Sequence, residues 1–210
     1  MEGAPIPSDS LPRNSGPLRG RSLHDSIRRA VAAGAGWIQI REKDLDARAL
    51  VEIARFAVAE TRAAGARVLI NDRMDVALAA NAAGVHLGEK SLPLESVIEW
   101  RRSTGQSDFL IGVSCHSLES ARSSARDGAD YIFFGPVFAT PSKAAFGAPH
   151  GIERLRDVCA SVDIPVLAIG GVNLENARTC IAAGAAGVAA IRLFQDAKNE
   201  AELAATLKAI

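Results

Sequence analysis

Short apolar segments alternate along this chain with longer amphipathic stretches. The apolar segments are a few residues long and rich in β-branched and aromatic residues, a pattern typical of buried strands. The strand candidates are Trp37–Arg41, Val68–Asn71, Val85–Leu87, Leu110–Ser114, Tyr131–Phe134, Val166–Ile169 and Val188–Ile191. Helices are expected to begin near Leu23, Asp46, Met74, Pro93, Leu118, Gly151, Leu174 and Ala197. This regular alternation of strands and helices predicts an α/β fold with a parallel sheet.

Turns containing Ala-Gly or Asp-Gly precede most of the predicted strands. They recur as Ala-Gly-Ala-Gly, Ala-Gly-Ala-Arg, Ala-Ala-Gly-Val, Asp-Gly-Ala-Asp and Ala-Gly-Ala-Ala. A glycine just beyond a helix is its expected cap, so the repeat marks the loops that lead from helix to strand. So uniform a repeat favours a TIM (β/α)8 barrel over an open doubly wound sheet. The strand count, however, is one short of eight.

The first barrel strand has no candidate in this sequence. Residues 1–20 are rich in Pro, Gly, Ser and Arg and predict a loop-like or disordered arm, with residues 21–210 forming a single barrel domain. We expect the missing strand, about five to eight apolar residues, to be encoded upstream of the chain as given. The first and last visible strands then leave an open gap, or residues 1–20 fold over it. A true seven-stranded barrel is the less favoured alternative.

Composition narrows the class of protein. The 210 residues carry 24 basic and 24 acidic side chains, so no overall charge favours nucleic acid or an anionic membrane as partner. The three cysteines are widely spaced and odd in number, which is typical of reduced thiols in an intracellular protein. No apolar run has the length of a membrane span or of a signal-peptide core. A cytoplasmic location is therefore predicted.

Three long polar side chains alternate at the end of the first visible strand. Gln39, Arg41 and Lys43 share one face, whereas Ile38 and Ile40 occupy the other. Strands of a parallel sheet covered by helices are usually apolar throughout, so two cations there need an anionic partner. Arginine and lysine suit a phosphate or diphosphate. A solvated strand edge is the alternative, and the strand alone leaves both open.

Further polar residues follow the other strands at the same predicted rim. They are Asn71, Asp72, His86, Glu89, Ser114, His116, the segment 135–143, Gly170 and Gly171. By itself, an Asn-Asp pair is more typical of a helix cap, and a lone histidine is more typical of a structural residue. Their recurrence at one rim favours function, since active sites of such barrels lie there. Phosphate can be bound by the N–H groups of the glycines and by the hydroxyls and lysine of the segment 135–143. The carboxylate of Asp72 suits Mg²⁺.

With these motifs the sequence resembles the thiamine phosphate synthase family, whose superfamily also contains thiazole tautomerases, over roughly residues 23–196. The resemblance implies that Gln39, Arg41 and Lys43, in a Gln-x-Arg-x-Lys segment, bind the diphosphate of hydroxymethylpyrimidine diphosphate. It implies that Asn71 contacts the same diphosphate and that Asp72 ligates Mg²⁺.

The resemblance also assigns the remaining substrate contacts. Ser114 and His116 match a Gly-x-Ser-x-His segment whose serine contacts the pyrimidine. A Thr-x-Thr/Ser-Lys loop supplies the thiazole-phosphate contacts Thr140 and Ser142, and its Lys143 contacts the pyrimidine diphosphate. Gly171 and the backbone of Ile191 and Arg192 complete the thiazole-phosphate cradle. The implied catalytic residues are Arg41, Lys43, Lys143, Ser114 and His116.

Two positions depart from the family pattern. Ser91 stands where the family has an aspartate as second magnesium ligand, and serine is a weaker ligand for this ion. We therefore predict Asp72 and Ser91 as the metal residues, with Glu89 as the alternative to Ser91. Arg192 replaces the usual serine after the last strand, where the phosphate contact is largely to backbone.

The predicted activity is a transferase reaction that condenses hydroxymethylpyrimidine diphosphate with thiazole phosphate to give thiamine phosphate and diphosphate. One alternative is a thiazole tautomerase in which His116 moves a proton, although tautomerases tend to lose the glutamine, the Asn-Asp pair and the loop lysine that this chain keeps. Another is a non-catalytic thiazole-phosphate-binding protein. Small phosphorylated molecules are the expected partners, with neither nucleic acid nor membrane. The sequence is compatible with a homo-oligomer.

Overall fold

A parallel β-sheet forms the centre of the molecule. The computed structural model describes residues 22–140 and 148–191 together with residues 193, 203 and 206. The strands are β1 (Trp37–Ile40), β2 (Arg67–Asn71), β3 (Gly84–Leu87), β4 (Leu110–Cys115), β5 (Tyr131–Phe134), β6 (Val166–Ile169) and β7 (Gly187–Ala189). The helices are α1 (Leu23–Ala32), α2 (Ala47–Arg62), α3 (Met74–Ala79), α4 (Leu94–Thr104), α5 (Leu118–Arg126), α6 (Gly151–Cys159) and α7 (Ala177–Ala182). Each strand pairs in parallel with the next along the chain, as predicted.

The element boundaries differ from the sequence prediction at a few ends. β1 ends at Ile40 because its pairing with β2 stops there, so Arg41 lies beyond the ladder. β7 ends at Ala189. α7 begins at Ala177, later than predicted. The three residues before it form a turn, in which the side chain of Asn173 accepts hydrogen bonds from the N–H groups of Glu175 and Asn176. The predicted helix near Ala197 falls mostly outside the described residues.

The sheet is strongly curved. The rings of Trp37 on β1 and Tyr131 on β5 meet edge to face with centroids 4.7 Å apart. In a flat sheet these strands would be separated by about 19 Å, because neighbouring strands lie about 4.8 Å apart. The contact therefore requires the sheet to curl round on itself, as in a barrel. Together with the strand order, this confirms the predicted α/β barrel architecture for the seven described strands.

Apolar residues fill both sides of the curved sheet. Leu69, Tyr131 and Phe133 form the inner cluster, with Leu110 and Leu167 packed against them. Two larger clusters lie between the sheet and the helices, one under the first half of the chain and one under the second. Inward and outward residues alternate along the strands, which leaves the strand ends as the place for polar groups.

The first and last strands are the edges of the sheet. β1 and β7 form no pair with each other within the described residues. The open gap and the alternative that residues 1–20 cover it both stay predictions, because residues 1–20 lie outside the described part of the chain. The proposed domain limits stay a prediction. Among the described residues, no helix combines the length and apolar character needed to cross a membrane.

Candidate active site

The predicted polar residues gather at the carboxyl end of the sheet. Parallel strands all end at one edge, so residues distant in sequence meet there. Gln39 Nε2 donates to Asn71 Oδ1 at 3.0 Å, and Asn71 Nδ2 donates to Asp72 Oδ2 at 2.6 Å. These bonds join the ends of β1 and β2. The structure therefore brings together the three residues predicted to lie around one diphosphate and its metal ion.

Ser91 extends this row of hydrogen bonds. Its hydroxyl donates to Asp72 Oδ1 and accepts from the N–H of Gly88, with an N to Oγ distance of 2.6 Å. Glu89, the alternative metal residue, is exposed, and its carboxylate lies 3.9 Å from His116 Nε2. Ser91 is thus the residue that accompanies Asp72, and Glu89 is turned towards the end of β4.

The donor set at Asp72 contains a single carboxylate. Within the described residues, no group of three or more His, Cys, Asp or Glu side chains could hold a metal ion. Magnesium, however, is commonly held by one or two carboxylates together with substrate phosphates and water. The adjacent oxygens of Asp72 and Ser91 fit that kind of site, in which the substrate supplies further ligands.

Two cations stand beside this row. Arg41 and Lys43 follow β1 with exposed side chains. Neither forms a salt bridge within the described part of the chain. Burial is the main cause of a lowered pKa of His86, and the charge of Arg41 lowers that pKa slightly further. Both cations can therefore meet an anion at the rim without first breaking an ion pair among the described residues.

A buried histidine, which the sequence placed near the rim without assigning it a role, connects the rim to the barrel interior. His86 on β3 is 1% exposed, and its ring lies against Phe133 with centroids 4.3 Å apart. Its nitrogens contact Ser114 Oγ at 2.8 Å and the hydroxyl of Tyr131 at 3.1 Å. Burial lowers the pKa of His86 to about 4, and Asp72 opposes this shift. A polar residue between Val85 and Leu87 was the sequence signal for it.

His116 lies at the end of β4, as predicted. Its Nδ1 is hydrogen-bonded to the carbonyl of Gly135, which ties it to the loop after β5. The ring of His150 stacks near it with centroids 6.5 Å apart. Burial lowers the pKa of His150, and the neighbouring His116 adds to the shift. The structure thus places His116 against both ends of the segment that joins β5 to α6.

The predicted thiazole-phosphate cradle is described in part. The N–H groups of Val137 and Phe138 donate to the carbonyls of Ile169 and Gly170 at 2.9 Å, which binds the loop after β5 to the loop after β6. Gly171 has φ +68°, and a Cβ there would lie 2.6 Å from the carbonyl oxygen of Ala139. A glycine is therefore required for this close approach.

The remaining predicted cradle residues are only partly visible. Thr140 is half-buried and directly follows Ala139, whose carbonyl oxygen lies close to Gly171. Ile191 lies beyond β7 and is 61% exposed. Ser142, Lys143 and Arg192 fall outside the described residues, so their predicted roles stay predictions.

Comparison with known proteins identifies the family. Residues 13–194 match the family model described as thiamine monophosphate synthase. The chain belongs to the thiamine monophosphate synthase family. It is 49% identical over 172 residues to a putative thiamine-phosphate synthase of Geobacter sulfurreducens, covering 82% of this chain and 79% of that protein. It is 44% identical over 191 residues to the thiamine-phosphate synthase of Moorella thermoacetica, covering 91% and 89%.

Solved structures agree with this assignment. The thiamine phosphate pyrophosphorylase from Pyrococcus furiosus superposes with a TM-score of 0.81 at 36% identity, covering 91% of this chain and 90% of that one. A 3-hexulose-6-phosphate synthase shares the fold alone, with a TM-score of 0.64 at 18% identity over 89% and 93% of the two chains. The predicted family, barrel-type fold and transferase class are confirmed.

Proposed function

We propose that this chain condenses hydroxymethylpyrimidine diphosphate with thiazole phosphate, releasing diphosphate, at the carboxyl rim of its sheet. The row of hydrogen bonds from Gln39 through Asn71 and Asp72 to Ser91 carries the proposal. It lies beside the exposed cations that follow β1. An amide, a carboxylate and two cations that form no salt bridge among the described residues suit a diphosphate with a bound divalent ion.

The reaction places negative charge on the leaving group. The bond between the pyrimidine methylene carbon and the diphosphate oxygen breaks, and its electron pair stays with the diphosphate. The lone pair of the thiazole nitrogen forms the new carbon–nitrogen bond. Arg41, Lys43 and Lys143 stabilise the charge that develops on the diphosphate, because preorganised donors act most strongly where charge appears during the reaction.

Asp72 and Ser91 would hold Mg²⁺ at this diphosphate. Asp72 supplies the carboxylate and Ser91 a hydroxyl oxygen, which their mutual hydrogen bond already places side by side. A bound Mg²⁺ supplies charge neutralisation for the departing diphosphate. Asn71 and Gln39 orient the Asp72 carboxylate and contact the diphosphate.

The second substrate binds at the neighbouring loops. The backbone at Gly171 and the hydroxyl of Thr140 contact the thiazole phosphate, because the loops after β5 and β6 are joined there. Ser142 and the backbone of Ile191 and Arg192 complete this cradle.

We also propose a cytoplasmic location, in keeping with three free cysteines of which Cys115 and Cys180 are buried.

An assay of the full chain tests the proposal. With Mg²⁺ and both substrates, the purified protein is expected to form thiamine phosphate and diphosphate. Arg41→Ala should lower kcat by about 10²-fold, the scale of removing one preorganised donor. Arg48→Ala is the matched control, because Arg48 lies on α2 with its side chain 83% exposed and, among the described residues, pairs only with Glu52. Its kcat should stay at the wild-type value.

Two other results would overturn the proposal. Isomerisation of a thiazole phosphate without any condensation would show a tautomerase, with His116 as the candidate proton carrier. Binding of thiazole phosphate without turnover, measured by calorimetry with and without Mg²⁺, would show a non-catalytic binding protein.

A further inference from the structure

We infer that Tyr131 and His86 position the hydroxyl of Ser114 as a hydrogen-bond donor to the pyrimidine substrate. The direction of the hydrogen bonds follows from the buried residues alone. The identity of the ligand rests on the proposed function.

The three side chains form one continuous chain of hydrogen bonds across three neighbouring strands. Tyr131 on β5 is fully buried, and its hydroxyl lies 3.1 Å from His86 Nδ1. His86 Nε2 lies 2.8 Å from the Oγ of Ser114 near the end of β4. The phenol is at the interior end, and the serine is half-buried at the rim. A ligand at the rim can therefore reach the last member of the chain.

The buried phenol fixes the direction of these bonds. Among the described residues, His86 Nδ1 is the sole hydrogen-bond partner of the Tyr131 hydroxyl. A buried donor left without an acceptor is costly, so Tyr131 donates and Nδ1 accepts. The imidazole lies against Phe133, and no carboxylate is bonded to either nitrogen in the described part of the chain, which favours the neutral ring. A neutral imidazole carries one N–H, so that proton is on Nε2.

The serine consequently accepts from His86 and keeps its own proton. The Nε2–H of His86 donates to Ser114 Oγ. Within the described residues, Ser114 Oγ has no second partner, so its O–H is available to an acceptor at the rim. A ring nitrogen of a pyrimidine is such an acceptor. With the opposite tautomer, the serine proton would point to His86 and the phenol would have no acceptor.

Tyr131 and His86 are therefore positioning residues, because they act through Ser114. They select the serine rotamer and the direction of its hydrogen bond before substrate arrives, which lowers the ordering cost of binding. Binding and reaction of the pyrimidine substrate should depend on these hydrogen bonds, whereas binding of the thiazole phosphate should not.

The tautomer of His86 is the first test. Nitrogen NMR of the labelled full chain without substrates distinguishes protonated from unprotonated imidazole nitrogens. We expect Nε2 protonated and Nδ1 unprotonated. In Tyr131→Phe the donor to Nδ1 is lost, and the Nδ1–H tautomer should gain population. A wild-type protein with its proton on Nδ1 would overturn the inference even if the enzyme makes thiamine phosphate, so this result is independent of the proposed function.

Steady-state kinetics is the second test. Tyr131→Phe should lower kcat/KM for the pyrimidine diphosphate by about tenfold, the scale of one redirected hydrogen bond, and leave KM for the thiazole phosphate unchanged. His86→Gln should retain most of the activity, because its amide can accept from Tyr131 and donate to Ser114. The side chain in His86→Leu can neither accept nor donate a hydrogen bond, so this variant should lose most of the activity. Equal losses in His86→Gln and His86→Leu would overturn the inference.

A matched control separates positioning from loss of stability. Thr61 on α2 is 2% exposed, and its hydroxyl donates to the carbonyl of Ala57 at 2.9 Å. Thr61→Val removes a buried hydroxyl, as Tyr131→Phe does, and should leave all kinetic constants unchanged. In the Ser114→Ala background, Tyr131→Phe should have no further effect on kcat/KM. Additive losses in that double variant would show that Tyr131 acts by another route.

Discussion

Asp72 adopts a backbone conformation that is uncommon for residues other than glycine. Its φ is +62°, directly after β2. Such conformations typically cost about 1–3 kcal/mol and persist where the surrounding structure imposes them. Here both carboxylate oxygens are engaged, one by the Asn71 amide and the other by the Ser91 hydroxyl. The strained residue is thus fixed with its carboxylate at the rim, as the proposed magnesium site requires.

Replacing Ser91 by aspartate should improve the use of magnesium. Ser91→Asp places a second carboxylate beside Asp72, and a hard divalent ion prefers carboxylate to hydroxyl oxygen. The Mg²⁺ concentration for half-maximal rate should fall. Without metal, the two like charges repel, so the melting temperature should fall below that of the wild type and rise more steeply when Mg²⁺ is added.

The neutral variant Ser91→Asn is the matched control for this change. It alters the side chain to a similar size without adding charge, so its melting temperature should respond to Mg²⁺ no more than the wild type does. An unchanged Mg²⁺ requirement in Ser91→Asp would show that the ion is held elsewhere on the rim.

At the scale of the elements, β4 and β5 fit together through one glycine. Gly112 pairs with Tyr131 in the register of the two strands, and a Cβ at Gly112 would overlap the Tyr131 ring. The glycine of the Gly-x-Ser-x-His motif therefore makes room for the phenol that contacts His86. Gly112 thus acts on the packing beneath the rim.

Gly112→Ala should destabilise the protein by about 1–3 kcal/mol, the usual effect of forcing extra volume into a packed core. Denaturant unfolding measures this difference. Gly36→Ala is the control, because nothing lies within 4 Å of a Cβ at Gly36, and it should leave the free energy of unfolding nearly unchanged. If Gly112→Ala were as stable as the wild type, Tyr131 would have room that the structure does not show.

At the scale of the whole molecule, the sheet has two open edges among its described strands. β1 and β7 each pair on one side only, whereas β3 and β5 pair on both sides and are fully buried. Amide hydrogens in the centre should therefore exchange with solvent more slowly than those of the two edge strands. Hydrogen exchange followed by mass spectrometry measures this along the chain.

Equal protection at the edges and in the centre would contradict this arrangement. It would show that a segment outside the described residues pairs with β1 and β7. Adding the pyrimidine diphosphate with Mg²⁺ should slow exchange in the segment that contains Arg41 and Lys43, since the ligand orders it.

The sequence by itself determined the strand positions, the parallel order and much of the rim. Gln39, Asn71 and Asp72 could be predicted as neighbours because each ends a strand, and the ends of parallel strands meet at one edge. The family followed from the same motifs. These are local signals, carried by alternation along a strand and by the turn residues that follow it.

Only the tertiary structure decided which of these residues touch. Ser91 rather than Glu89 accompanies Asp72, because the turn after β3 directs the serine inwards to accept from Gly88 and donate to Asp72. The contact of His86 with Tyr131 joins residues 45 positions apart. Periodicity gives the face of a strand that a residue occupies. Distances across the barrel depend instead on the register and curvature of the sheet, which packing of the whole chain determines.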